Sequence, residues 1–189
     1  MGDLPPILLT NRIFFDGQGA LAAELDGRLP AAPVLVADTD KEARRRLSEA
    51  TVAVTHRFPT DWLSDAELVE WIQALSAGVD FYDVAALDAR DIALTTASGV
   101  HAEPAGEHAL GAVLYFERKF DEALARQADR EWERYFPGTL AGRTVGIVGL
   151  GSIGGCLAAL CSELGMAVLG TKRDLSLIPD AVDEAYLPD

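Results

Sequence analysis

Hydrophobic positions in the first hundred residues fall in short runs rather than long stripes. PILLT (6–10), PVLVA (33–37), TVAVT (51–55), WIQAL (71–75) and IALTT (92–96) are brief, rich in aliphatic and β-branched residues, and flanked by polar or turn-forming positions. Runs of that length and composition predict buried strands. Between them lie polar stretches with helical spacing at 18–26, 40–49, 62–68 and 83–88. Thr39, Asp61 and Asp83 stand where N-caps are expected, and Thr39 with Glu42 has the spacing of a capping box. Strands that alternate with short helices need parallel crossovers, so the pattern predicts an α/β fold with a doubly wound sheet.

The pattern then changes. Residues 104–134 read as a long helical stretch, with Pro104 in the first turn and Ala109, Ala112, Val113 and Phe116 as the predicted buried face. The turn-rich connector YFPGTLAGR follows. A strand TVGIVG (144–149), a helix 152–164 closed by Gly165, and a strand MAVLG (166–170) come next, and DEAYLPD leads into a third strand. The expected organisation is a first domain at 1–100, a helical connection at 101–140, and a second domain from 141.

Composition narrows the partners. A net charge of −14 excludes nucleic acid as an expected partner, because phosphate binding needs a basic surface. No apolar run approaches the roughly 20 residues of a membrane span, and MGDLPPILLT carries neither a secretory nor a clear myristoylation signal. Only Lys41, Lys119 and Lys172 supply lysine among 16 basic residues. An acidic, Lys-poor, Ala-rich surface resembles proteins of salt-loving archaea, where salt screens the self-repulsion. Cys156 and Cys161 lie five apart on one predicted helix with no His or Cys cluster beside them. They are expected to be buried thiols in a reducing cytoplasm, and no metal site is expected.

The second domain holds the clearest chemistry. GLGSIG places Gly149, Gly151 and Gly154 between a strand and a helix, with a second strand completing β-α-β. The first glycine permits the tight turn, the second lets backbone approach a pyrophosphate, and the third lets helix and strand pack closely. Ser152 and Ile153 open the helix, whose free N–H groups and positive end suit phosphates. A dinucleotide is the expected ligand. An NAD site usually has Asp or Glu at the end of the second strand. Here the chain reads Thr171, Lys172, Arg173. A carboxylate would repel a 2′-phosphate, whereas these groups attract it. NADP is the expected cofactor, with NAD as the other possibility should Asp174 serve the ribose instead.

Three segments together resemble the D-isomer-specific 2-hydroxyacid dehydrogenases, in character the glyoxylate/hydroxypyruvate reductases: LSAGVDFYDVAAL (75–87), IALTTASGVHAEPAGEHALGAVL (92–114) and LAGRTVGIVGLGSIGGCLAALCSELGMAVLGTKRD (140–174). The resemblance implies a flavodoxin-like substrate domain followed by the first β-α-β part of a Rossmann cofactor domain. It implies that the backbone amides of Ala77 and Gly78 grip a substrate carboxylate. It places THRFP (55–59) beside the substrate, with His56, Arg57 and Phe58 shaping its choice: Arg57 suits a second anionic group and Phe58 an apolar tail. His101 and Glu107-His108 fall near the domain crossing, where the resemblance implies structural contacts, not proton transfer.

The family's carbonyl-polarising Arg and its His–Glu proton donor lie in the second half of the cofactor domain, and no position here matches them. No catalytic residue is therefore assigned. The expected protein is an N-terminal portion of an enzyme that reduces a small 2-oxo acid to a D-2-hydroxy acid, with a homodimer as a possible assembly. The alternative is a non-catalytic nucleotide-binding or dimerising remnant. A separate Rossmann enzyme using S-adenosylmethionine would leave SAGVD and the EHAL crossing unexplained.

Overall fold

Strands of three to five residues organise the chain, which divides into two units, Met1–Ser98 and Gly99–Asp189. The computed structural model describes residues 4–10 and 18–188.

In the first unit the elements are β1 (Ile7–Thr10), α1 (Gln18–Arg28), β2 (Val34–Ala37), α2 (Asp40–Leu47), β3 (Val52–Thr55), β4 (Trp71–Ala74), α3 (Val84–Asp88) and β5 (Ala93–Thr95). All pairings are parallel, and the sheet order is β2-β1-β3-β4-β5. That is the flavodoxin-like order. Neighbouring strand residues point to opposite faces, and Leu8 and Leu9 are both buried, in separate apolar clusters. The sheet is thus covered on both sides, as parallel sheets require.

Local chemistry explains the helix starts. The Thr39 hydroxyl accepts from the Glu42 N–H at 3.2 Å. The Glu42 carboxylate accepts from Arg46 at 3.0 Å instead of reaching back, so only half of the capping box forms. Asp83 caps α3 by accepting from the Ala86 N–H at 3.0 Å. The helix expected at 62–68 is instead a 3-10 turn at Thr60–Ser64. The Asp65 and Ala66 N–H groups donate to the Trp62 and Leu63 carbonyls, three residues back. This tighter winding buries the adjacent pair Trp62 and Leu63. Asp61 lies inside the turn, not at its cap, and accepts from Arg44 at 3.1 Å.

The second unit contains α4 (Ala102–Glu117), α5 (Phe120–Asp129), β6 (Thr144–Val148), α6 (Ser152–Glu163), β7 (Ala167–Thr171) and β8 (Glu184–Tyr186). The strands pair in parallel in the order β6-β7-β8, which is the strand 1-2-3 half of a Rossmann sheet. Leu140, Ile147, Leu150, Ala158, Cys161, Met166 and Val168 form its core.

Two expectations for the helices are corrected. The stretch 104–134 is not one helix: Arg118 ends α4, and Lys119, at φ 56°, turns the chain into α5. The expected buried side of α4 holds only in part: Val113 packs on the core and Ala109 is half-buried, but Ala112 and Phe116 are exposed. Phe116 is 71% exposed. Gly106 is buried instead, and Leu110, Val113 and Leu114 pack on the core. Helix α4 is apolar nearly all round, so periodicity alone places the stripe only in part.

Candidate functional site

The glycine turn of the second unit is built by close approach. Gly149 has φ +96°, a conformation that side chains resist. A Cβ on Gly154 would stand 2.1 Å from the Gly149 carbonyl oxygen, so only glycine lets α6 start against the turn. Gly151 faces open space. Between them Leu150 is buried and packs over Gly170, where a Cβ would meet its side chain at 2.7 Å.

The ladder of α6 begins with the Gly155 N–H donating to the Gly151 carbonyl at 2.8 Å. The N–H groups of Ser152, Ile153 and Gly154 precede it and have no partner within the helix. With the helix dipole behind them, they form a donor set for an anion. An open Gly151, a left-handed Gly149 and these free donors fit a dinucleotide pyrophosphate.

The end of β7 does more than the sequence reading foresees. The Thr171 hydroxyl accepts from the Gly149 N–H at 3.0 Å, and the Thr171 carbonyl accepts from the Leu150 N–H at 2.8 Å. The Lys172 ammonium donates to the Leu150 carbonyl at 2.9 Å. The guanidinium of Arg173 is exposed and has no partner among the described residues. Asp174 turns to its own neighbour and accepts from the Ser176 hydroxyl at 2.6 Å and N–H at 2.9 Å. Those bonds, with the nearby Lys172 charge, hold its carboxyl below the usual range.

In the first unit the candidate residues separate. Ala77 and Gly78 are exposed after β4, and neither N–H has a partner among the described residues. The Ser76 hydroxyl, donating to the Gly78 carbonyl at 2.7 Å, shapes that loop. THRFP is more internally committed than expected. Phe58 is a core residue, 2% exposed, edge-on to Trp62 at 5.7 Å. It offers nothing to a substrate tail, because burying the ring is favourable and Trp62 supplies the partner. The Arg57 guanidinium is held by Asp40 at 2.6 Å, so it is not a free anion receptor. The Thr55 hydroxyl anchors the same loop, donating to the Arg57 carbonyl at 2.6 Å, while Tyr82 donates to the Thr55 carbonyl at 2.8 Å.

His101 and His108 are exposed, with no side-chain partner among the described residues. Cys161 is fully buried and Cys156 partly so; both are free thiols. Among the described residues no group of three or more His, Cys, Asp or Glu side chains could hold a metal ion, and no helix is long and apolar enough to cross a membrane.

Comparison with known proteins agrees with this geometry. Residues 110–185 match the family model "D-isomer specific 2-hydroxyacid dehydrogenase, NAD binding domain". A family member of known structure from Aeromonas salmonicida superposes with a TM-score of 0.77 at 28% identity, over 97% of this chain and 57% of that one. Another, from Klebsiella pneumoniae, gives 0.73 at 30% identity, over 96% and 56%. The chain belongs to the D-isomer specific 2-hydroxyacid dehydrogenase family. The D-3-phosphoglycerate dehydrogenase of Mycobacterium leprae is 31% identical over 173 residues, which is 88% of this chain and 32% of that protein. The chain thus spans about a third of the length of such curated relatives. Its second unit carries the family's NAD-binding domain.

Proposed function

We propose that this chain belongs to an NADP-dependent dehydrogenase that reduces a small 2-oxo acid to a D-2-hydroxy acid. The first unit takes the substrate and the second the cofactor. The observation that carries the reading is the glycine turn: its free N–H groups at Ser152, Ile153 and Gly154 follow β6, and an unpartnered Arg173 follows the neighbouring strand β7. A guanidinium without a carboxylate partner suits a 2′-phosphate. Asp174, the one carboxylate near the end of β7 among the described residues, spends its Oδ1 on Ser176.

When bound, the nicotinamide supplies a hydride to the keto carbon. The chain's own residues bind and orient. The Ala77 and Gly78 N–H groups donate to one carboxylate, in the manner of a backbone nest. Ser152, Ile153 and Gly154 hold the pyrophosphate, and Arg173 the 2′-phosphate. No residue here is assigned the proton transfer.

Three further readings belong with this one. The two free thiols suit a cytoplasmic protein. The charge of −14 with three lysines suits a salt-rich cell. The exposed side chains Phe116, Phe120, Leu124, Trp132 and Phe136 of the second unit suit a homodimer.

The test is hydride transfer by the 189-residue chain. It is mixed with NADPH and a panel of 2-oxo acids in concentrated KCl, and nicotinamide absorbance is followed beside calorimetric nucleotide binding. Binding without turnover is the expected result, because the proton donor is unassigned. Turnover would transfer that role to a residue present here, His101 first. Absence of nucleotide binding would end the reading.

A further inference from the structure

Thr171 ends β7 and Lys172 and Arg173 follow it, yet of the three only Arg173 is free. The Thr171 side chain and carbonyl take the N–H groups of Gly149 and Leu150, and the Lys172 ammonium takes the Leu150 carbonyl. These three bonds close a clasp around the first two residues of the phosphate turn. We propose that Thr171 and Lys172 are positioning residues that set the turn for any adenine dinucleotide, and that Arg173 alone reads the 2′-phosphate.

Two partners compete for Lys172: the Leu150 carbonyl and a ligand phosphate. Leu150 is 1% exposed, so with Lys172 in place its carbonyl relies on the ammonium and not on water. Moving Lys172 onto a ligand phosphate would strand that oxygen, and a buried acceptor left unpaired is costly. The bond it already makes is charge-assisted, at 2.9 Å. The same residue's side chain is pinned over Gly170, so the carbonyl cannot swing to follow the ammonium. Arg173 is exposed and has nothing to give up. Holding the turn costs the bound state nothing further, and the benefit falls equally on ligands with and without a 2′-phosphate.

This rests on the dinucleotide reading, and the experiment separates the two. The chain and its Lys172→Met, Lys172→Arg and Arg173→Met variants are titrated by calorimetry with NADPH, NADH and adenosine 2′,5′-bisphosphate, and melted without ligand. Arg173→Met should weaken NADPH and the bisphosphate about tenfold or more while leaving NADH within about twofold. Lys172→Met should weaken NADPH and NADH by the same factor, about tenfold, and lower the unliganded melting temperature, because the Leu150 carbonyl loses its donor. Lys172→Arg should restore most of the loss, since a guanidinium can also donate to the Leu150 carbonyl. Selective loss of NADPH in Lys172→Met overturns the proposal, and so does a fall in melting temperature with unchanged affinities. If Lys172→Met does not fold, Lys172→Arg decides: a changed NADPH-to-NADH ratio overturns the proposal and an unchanged one supports it. Failure of the unsubstituted chain to bind any of the three removes the dinucleotide reading, and the proposal with it.

Discussion

At Gly154 the whole site depends on a missing methyl group. A Cβ there would lie 2.1 Å from the Gly149 carbonyl oxygen, and backbone cannot step aside as a flexible side chain can. Gly154→Ala should therefore destabilise the second unit by about 1–3 kcal/mol and abolish nucleotide binding, measured by denaturant unfolding and calorimetry. Wild-type affinity in that variant would show that the turn is not the site. Buried acids at this scale set the alkaline limit. Burial pushes the Cys161 thiol above its ordinary 9.0. Burial also pushes Tyr82 above 10.0. Both folded values are raised, so the fold keeps protons that the unfolded chain releases. The stability they contribute is complete below the unfolded values and is lost as pH rises through the folded ones. Unfolding free energy should fall above about pH 9, and Cys161→Ala should flatten the first part of that decline. An unchanged slope in the variant would rule Cys161 out as its cause. The glycines announce the turn from sequence because each answers to a backbone constraint. The clasp does not announce itself: whether Lys172 reaches outward to a phosphate or back to Leu150 depends on a rotamer, and both choices have the same sequence.

Elements show the same division. The strands were legible because fully buried parallel strands are short, apolar and interrupted by polar helices, as PILLT and TVAVT are. The break between α4 and α5 was not. Residues 117–120, Glu-Arg-Lys-Phe, contain neither Gly nor Pro, and Lys119 takes the left-handed conformation without any residue preference for it. Arg130 does likewise at the end of α5, with φ 57°, where its N–H donates to the Arg126 and Gln127 carbonyls. That geometry is the one glycine adopts freely. Arg130→Gly should stabilise the second unit by about 1 kcal/mol, read as a rise in melting temperature. A loss would mean that the Arg130 side chain holds the segment after α5 more firmly than its backbone strains it. Phe58 tells a similar story in the first unit. A phenylalanine after a strand can face substrate or core, and Trp62, four residues on, decides for the core.

For the whole molecule, charge and apolar surface pull against each other. A chain of net charge −14 repels its own copies, yet the second unit exposes Phe116, Phe120, Leu124, Trp132 and Phe136. At about 150–250 Å² for a whole aromatic side chain, these present roughly 700 Å² per copy, close to the ~800 Å² of a standard interface. The stretch 117–143 that bears most of them has six basic and six acidic residues, so it is neutral within an acidic chain. A copy would meet least repulsion there. Long-range repulsion should still oppose association at low salt, where the Debye length is about 30 Å at 0.01 M, and fade near 1 M, where it is about 3 Å. Sedimentation of the proposed homodimer should accordingly shift from monomer toward dimer as KCl is raised, and melting temperature should rise over the same range as repulsion within each copy is screened. Trp132→Ser with Phe136→Ser should keep the chain monomeric at high salt without lowering its melting temperature, because both side chains are exposed, at 102% and 83%. A variant that still dimerises places the interface elsewhere. One that loses melting temperature at low salt, where the chain is monomeric, shows that these rings support their own unit.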